Sequence, residues 1–374
     1  MSNAGGRVAP PLHPTPSDMA LTAPERLSRP RATRSSGLHV VAIGGGTGLS
    51  TLLRGLKQYA PSAAGTAASD HPHPIADLTA VVTVTDDGGS SGRLRKNFNM
   101  LPPGDLRNCM VALSEDEGLM SQLFRHRFQS GGELEGHNFG NLFVAALTEM
   151  TGDFGHAIRL AGEILAMRGF IYPATYANAT LVARMASGAT VRGETNITAS
   201  KDQIVELSLD PPVVEPLPET LAAIANADLI TLGPGSLYTS LITNLLVEGI
   251  PEALAAARGT RVYIANLMTQ ANESLHLTAS EHIERIQKHA GRKHPGQSIF
   301  DYALINTAPV PQAIRARYAA EGAEVIQPDI ERIEAMGIRC ISGNFAAEGD
   351  VLRHDAPRVA RTVLELAGAT FGDE

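Results

Sequence analysis

Twice in this chain a short apolar run breaks into a glycine loop and then into leucines at helical spacing. In "HVVAIGGGTGLSTLLRGL" the run His39–Ile43 meets Gly44, Gly45, Gly46, Thr47 and Gly48, and Leu49, Leu52, Leu53 and Leu56 follow. In "ADLITLGPGSLYTSLITNLL" the run Leu229–Leu232 meets Gly233, Pro234, Gly235 and Ser236, then Leu237, Leu241 and Leu245. A strand apolar along its whole length is buried on both faces, which suits a parallel sheet covered by helices. Two further apolar runs end in polar tips: Arg261–Gln270 in Asn266, Thr269 and Gln270, and Asp301–Val310 in Asn306 and Thr307. The pattern predicts a Rossmann-like α/β fold, a doubly wound, mostly parallel sheet whose ligand lies outside the strand carboxyl ends.

The tips carry the chemistry. A glycine loop lets backbone approach a ligand, and the helix N-terminus behind it offers free N–H groups to a phosphate. The first loop lacks the third glycine of a GxGxxG fingerprint, so a plain tight turn is the competing reading. In "VTVTDDGGSSGRLRKNF", Asp86 and Asp87 end a β-branched run beside that loop. They fit a ribose, a metal bridging a diphosphate, or Asx turns that cap the loop. Gly88, Gly89, Ser90, Ser91 and Gly92 suit an anion nest, and Arg93 and Arg95 either neutralise phosphate or form a solvated face. In "LPPGDLRNCMVALSE", Asp105 stands where a helix cap would, with Arg107 and Asn108 in the first turn. A cation there opposes the helix dipole, so Arg107 needs an anionic partner, either Asp105 or a ligand phosphate. "GHNFGNLFVAALTEM" starts a helix with His137, Asn138 and Asn141, of which capping explains one. Near the end, Asp355 caps a helix from about residue 356, and Arg353 just before it reaches the same carboxyl edge or pairs with Asp355 on the surface. Tyr318 is a candidate for stacking on a base or sugar.

Residues 1–36 are rich in Pro, Ala and Ser and read as a disordered tail, with one domain from 38 to 374. An antiparallel subdomain over about 168–210 is predicted from strands flanking Ser187–Gly188 and from Ile204–Leu209. Residues 61–77 read as a surface insertion whose His71-x-His73 pair lacks a third ligand. The net charge of −8 argues against nucleic acid or a membrane surface as partner. Two cysteines without a CxxC suit a reducing cytoplasm, and no apolar run has the ~18 residues of a membrane span. No Ser-His-Asp arrangement, HExxH or Walker A lysine is present.

Taken together and in order, "IGGGTGLSTLLRGLK", "VTVTDDGGSSGRLR", "LPPGDLRN", "GHNFGNLFVAALTEMTGDF", "GPGSLYTS" and "NLMTQ" resemble the family of the 2-phospho-L-lactate transferase CofD, and within it the gluconeogenesis-factor (YvcK) branch. The resemblance covers roughly residues 38–367. It departs at "MTQANES", which lacks a Pro-Gly after the Gln, and at Asn138, where Ser is frequent. The branch implies a UDP-sugar-binding regulator needed for cell shape and wall integrity on gluconeogenic carbon sources. The transferase side of the family implies transfer of a phospholactyl group from a guanosine diphosphate donor to a deazaflavin, with magnesium. The expected ligand is thus a UDP-sugar or related nucleotide diphosphate, with Mg2+ open at Asp86 and Asp87, no tightly bound cofactor, and homo-oligomerisation left open.

Overall fold

The computed structural model describes residues 37–62, 73–115, 118–130, 132–291, 298–347, 349, 351–371. The expected tail, His71 and most of the 61–77 insertion lie outside the described residues.

Seven strands form one parallel sheet in the order β10-β9-β8-β7-β1-β2-β3. In chain order these are β1 (Leu38–Gly44), β2 (Ile75–Val82) and β3 (Phe170–Pro173), then, after three strands that form a separate small sheet, β7 (Leu229–Leu232), β8 (Thr260–Ile264), β9 (Tyr302–Asn306) and β10 (Arg339–Gly343). The small sheet is antiparallel, ordered β5-β4-β6, from β4 (Thr180–Met185), β5 (Thr190–Arg192) and β6 (Ile204–Asp210). The segment expected to be antiparallel from about 168 therefore begins with an edge strand of the large sheet, since β3 pairs in parallel with β2. The doubly wound expectation is met: helices cover both faces.

Alternation along β1 explains the two faces. Val40 and Ala42 point into one core with Leu49, Leu52, Leu53 and Leu56 of α1 (Gly46–Lys57). Val41 and Ile43 point into the other, with Leu181, Ala183 and Leu207 of the small sheet. The insertion is thus packed on the large sheet through shared core. Between β2 and β3 come α2 (Gly89–Phe98), α3 (Gly104–Leu113), α4 (Leu119–Arg125), α5 (Phe139–Thr151) and α6 (Phe154–Ile164). A short α7 (Glu194–Ala199) follows β5. Residues Leu237–Ile242 after β7 form a π-helix, where the leucine spacing had suggested an ordinary helix.

Candidate functional site

The strand order reverses at β1. The chain leaves β1 for β2 and β3 on one side and returns to β7 on the other, so the loops after β1 and β7 part over a crevice. The crevice has a volume of about 270 Å³ and is lined by Thr47, Gly48, Thr51, the loops 234–236 and 266–270, Tyr318 and residues 352–354. Gly45, the N-cap of α1, is extended and has no side chain to cap the helix, so apart from the Gly46 amide, which donates to Asp105, the first-turn N–H groups and the positive dipole end face this region. A Cβ on Gly48 would lie 2.2 Å from the Pro234 carbonyl oxygen. The residue must be glycine because the two loops touch there.

The second loop is built differently. The Gly233 amide donates to the Ile43 carbonyl, and the Gly235 amide donates to Asn266 Oδ1 at 3.2 Å while Asn266 Nδ2 donates back to the Gly235 carbonyl at 2.7 Å. Glu273 accepts from the Tyr238 and Thr239 amides and from Thr239 Oγ1 at 2.9 Å, filling the N-terminus of the π-helix. Ser236 Oγ accepts from Gln270 Nε2, and Thr269 is tied to Glu324 by its amide and hydroxyl. Gly233, Gly235, Ser236, Asn266 and Thr269 therefore form a wall whose polar groups bond mainly to one another. Arg353 is exposed at the rim; its carbonyl accepts from the Ala347 amide at 2.8 Å, and its side chain makes no hydrogen bond or ion pair among the described residues. Asp355 does not pair with it. Its carboxylate caps the helix Ala356–Leu366, accepting from the Arg358 amide at 3.0 Å, and lies 3.7 Å from Arg358 Nε. His354 Nε2 bonds the Ala265 carbonyl, and burial lowers its pKa to about 4. Tyr318 lies on the opposite lip, with the Arg317 guanidinium 5.6 Å from its ring centre.

Next to the α1 end lies a group of carboxyls. The residue before α3 is Pro103, so Asp105 sits inside the first turn and not at the cap position expected for it. Its carboxyl lies against Gly45 and Gly46, close enough that a Cβ on Gly45 would come within 2.8 Å. Desolvation, then repulsion by Asp86, pushes Asp105 up to about 6, against the hydrogen bond it accepts from Gly46. Asn108 is one turn further along the same face of α3. Glu194, brought in by α7, accepts from Thr85 Oγ1 at 3.4 Å, and desolvation followed by Asp86 and Asp105 raises it to about 9. Asp86 Oδ1 accepts from the Gly88 amide at 2.9 Å, the Asx geometry that caps the small-residue loop. Asp87 Oδ1 accepts from the Thr195 amide and hydroxyl, so this acid fastens the insertion to the loop. Arg95 does likewise, donating to Asn178 and to the Ala179 carbonyl. Among the described residues no three His, Cys, Asp or Glu side chains form a group able to hold a metal.

The remaining sequence candidates gather elsewhere, where α2, α3 and α5 begin. Gly88 leaves α2 uncapped, with Gly89 at φ +49° opening the turn. Ser90 Oγ bonds His137 Nδ1 at 3.1 Å and accepts from the Asn138 amide, Asn141 Nδ2 approaches Ser91 Oγ at 3.5 Å, and Asn138 caps α5 by accepting from the Asn141 amide. Arg93 donates to the Glu135 carbonyl at 2.7 Å. Arg107 forms no ion pair among the described residues; its Nε donates to Asn141 Oδ1 at 3.2 Å. The carboxylate partner expected for it is absent because Asp105 turns toward the glycine loop.

Sequence reading passed over Glu194 and Glu273. Glu194 follows Gly193 in a stretch that reads as strand, and only a Gly-Glu helix start marks it. Nothing local marks Glu273, whose role exists only through the π-helix it caps.

Residues 40–346 match the family described as 2-phospho-L-lactate transferase CofD. A gluconeogenesis factor from Bacillus subtilis is 43% identical over 328 residues, 87% of this chain and 97% of its own length. One from Halalkalibacterium halodurans is 44% identical over 328 residues, 87% of this chain and 96% of its own. Two crystal structures of one Bacillus halodurans protein, described as a UPF0052 family member, align with TM-scores of 0.81 and 0.80 at 44% identity, covering 88% of this chain and 100% and 99% of theirs. The chain belongs to the CofD family, in its gluconeogenesis-factor branch.

Proposed function

We propose that this gluconeogenesis-factor relative is a regulator that binds a UDP-sugar or related nucleotide-diphosphate sugar in the crevice, in the service of cell shape and wall integrity on gluconeogenic carbon. One observation carries the reading: a helix N-terminus with a glycine N-cap at the strand-order switch, faced by the unpaired Arg353 side chain. In this reading the α1 amides and Thr47 hold the diphosphate, Arg353 neutralises it, and Tyr318 packs on the base or sugar. Magnesium characteristically keeps its waters and takes only one or two carboxylates plus substrate phosphate. Asp86 and Asp105 offer hard oxygen donors beside the glycine loop, and a divalent ion would offset the desolvation and, after it, the mutual repulsion that raise Asp105 and Glu194. When bound, such an ion would supply charge neutralisation to the diphosphate.

A second reading rests on the same acids. A transferase of the 2-phospho-L-lactate transferase type needs positioned proton carriers near a diphosphate-linked donor, and strongly perturbed carboxyls in a cleft are candidates. Asp105 and Glu194 are such groups.

Calorimetric titration with UDP-glucose, UDP-N-acetylglucosamine and guanosine diphosphate, with and without magnesium, tests the first reading. Failure of every UDP-sugar to bind would refute it. Asp86→Asn should weaken binding only when magnesium is present if Asp86 faces an ion, and in both conditions if it faces ribose. Chromatography of a long incubation of the wild type with UDP-sugar tests the second reading: released nucleotide, with the sugar or sugar phosphate passed to water in place of an acceptor, supports it.

A further inference from the structure

A basic cluster lies where α2, α3 and α5 begin. Arg107 is the inner member. Its side-chain stem crosses the first turn of α5 at Gly140, where a Cβ would stand 2.9 Å from Arg107 Cγ. Its one hydrogen bond among the described residues is to the neutral Asn141 amide oxygen. Arg127 Nη1 donates to the Gly136 carbonyl and Arg93 Nη2 to the Glu135 carbonyl, each at 2.7 Å, so both guanidinium groups are held by backbone oxygens of one short segment. Among the described residues neither makes an ion pair, and Arg125 makes none either. His137 sits beneath them, with desolvation and then Arg93 and Arg127 favouring its neutral form. The same crowding, after desolvation, brings Arg107 down to about 10, with Arg127 the largest charged contributor. Like charges are held together at a cost, next to the starting turns of α2, α3 and α5, offset at Arg107 by the Asp105 carboxyl but by no ion pair among the described residues.

We infer that the cluster of Arg107, Arg127, Arg93 and His137 is an oxyanion subsite, which takes a carboxylate or phosphate carried beyond the diphosphate of the ligand. This extends the nucleotide-sugar reading and rests on it for the position of the diphosphate. The first turn of α3 links the two places. Asp105 touches the glycine loop, and Arg107, two residues on, touches α5. The cluster therefore adjoins the α1 end through this one turn, whose Asp105 accepts from the Gly46 amide. A neutral hexose would leave the arginines unpaired, whereas an acidic sugar would pair them in charge-assisted hydrogen bonds. The same chemistry would serve a separate small phosphorylated molecule lying beside the sugar.

The test compares UDP-glucuronate with UDP-glucose, which differ by one carboxylate, by calorimetry on the wild type, Arg107→Met and Arg127→Gln. Met preserves the apolar stem over Gly140, and Arg127 is exposed, so at least one variant keeps the fold. The wild type should bind the acidic sugar at least tenfold more tightly, and the ratio should fall below about twofold in both variants. Glucose 6-phosphate is then titrated into protein holding UDP-glucose. Uptake that both variants lose assigns the subsite to a separate ligand. Equal affinity for the two nucleotide sugars together with no glucose 6-phosphate uptake overturns the inference and leaves the nucleotide-sugar reading standing. Arginine-dependent uptake of glucose 6-phosphate by protein that binds no nucleotide sugar does the reverse.

Discussion

Replacing Glu194 by Gln should make the protein more stable, and increasingly so as pH rises. Desolvation of the buried Glu194 carboxyl, and then repulsion by Asp86, Asp105 and Glu273, raise its pKa from 4.5 to about 9 on folding. The folded chain thus binds a proton there that the unfolded chain has released, and stability falls with pH across that interval. The cost is absent below about pH 4.5 and complete above about pH 9. Worked from those two values, it is roughly 1 kcal/mol at pH 5, about 3 at pH 7 and about 5 at pH 8.5. Gln preserves the shape and an acceptor for Thr85 Oγ1 and does not titrate. Urea denaturation of the two proteins at these three pH values, followed by circular dichroism, measures the difference. It should widen by about 1.4 kcal/mol per pH unit between pH 5 and 8.5. A constant difference would mean that Glu194 titrates normally in the folded chain and that its neighbours do not repel it.

Thr47→Leu crowds the α1 end and removes a hydroxyl from the crevice, so UDP-sugar affinity should drop at least tenfold, about 1.4 kcal/mol, by calorimetry, with the circular dichroism spectrum unchanged. Arg353→Glu should abolish that binding without moving the melting temperature of the free protein, because the Arg353 side chain makes no hydrogen bond or ion pair among the described residues; wild-type affinity in this variant would remove the C-terminal rim from the site. His282 is fully buried with both ring nitrogens unpaired, and desolvation lowers it to about 4. His282→Leu should therefore stabilise by about 1–2 kcal/mol at pH 7 in urea titrations. The gain should grow by about 2.5 kcal/mol at pH 4.5, since the wild type loses stability as pH falls from 6.5 toward 4.

The large sheet was legible because its strands are apolar end to end and break at glycine: the run predicted at Leu229–Leu232 is β7 itself, and Asp355 caps the helix it was expected to cap. Thr47, Tyr318 and Arg353 meet at one crevice because strand order, which follows from connection length and handedness, sets where tips converge. The division of the other candidates was not legible. Asp87 and Thr195 stand 108 residues apart, and nothing near either marks the clasp between them. The turning of Arg107 away from Asp105 depends on Gly140 in another helix, and the filling of the π-helix N-terminus depends on Glu273, which is remote in sequence. Local pattern reveals which residues reach a strand tip. Which of them are already occupied by protein is decided by tertiary partners.

The capping of the π-helix by Glu273 gives the crevice a direction. Two strand–loop–helix units flank the switch point, and by themselves both would attract anions equally. Buried Glu273 holds the Tyr238 and Thr239 amides at one of them, whereas at the other Asp105 reaches in from α3 to hold the Gly46 amide. The crevice is thereby asymmetric along the line joining β1 to β7: one end is closed by an acid buried within its own wall, the other by an acid from a separate helix that desolvation raises to about 6.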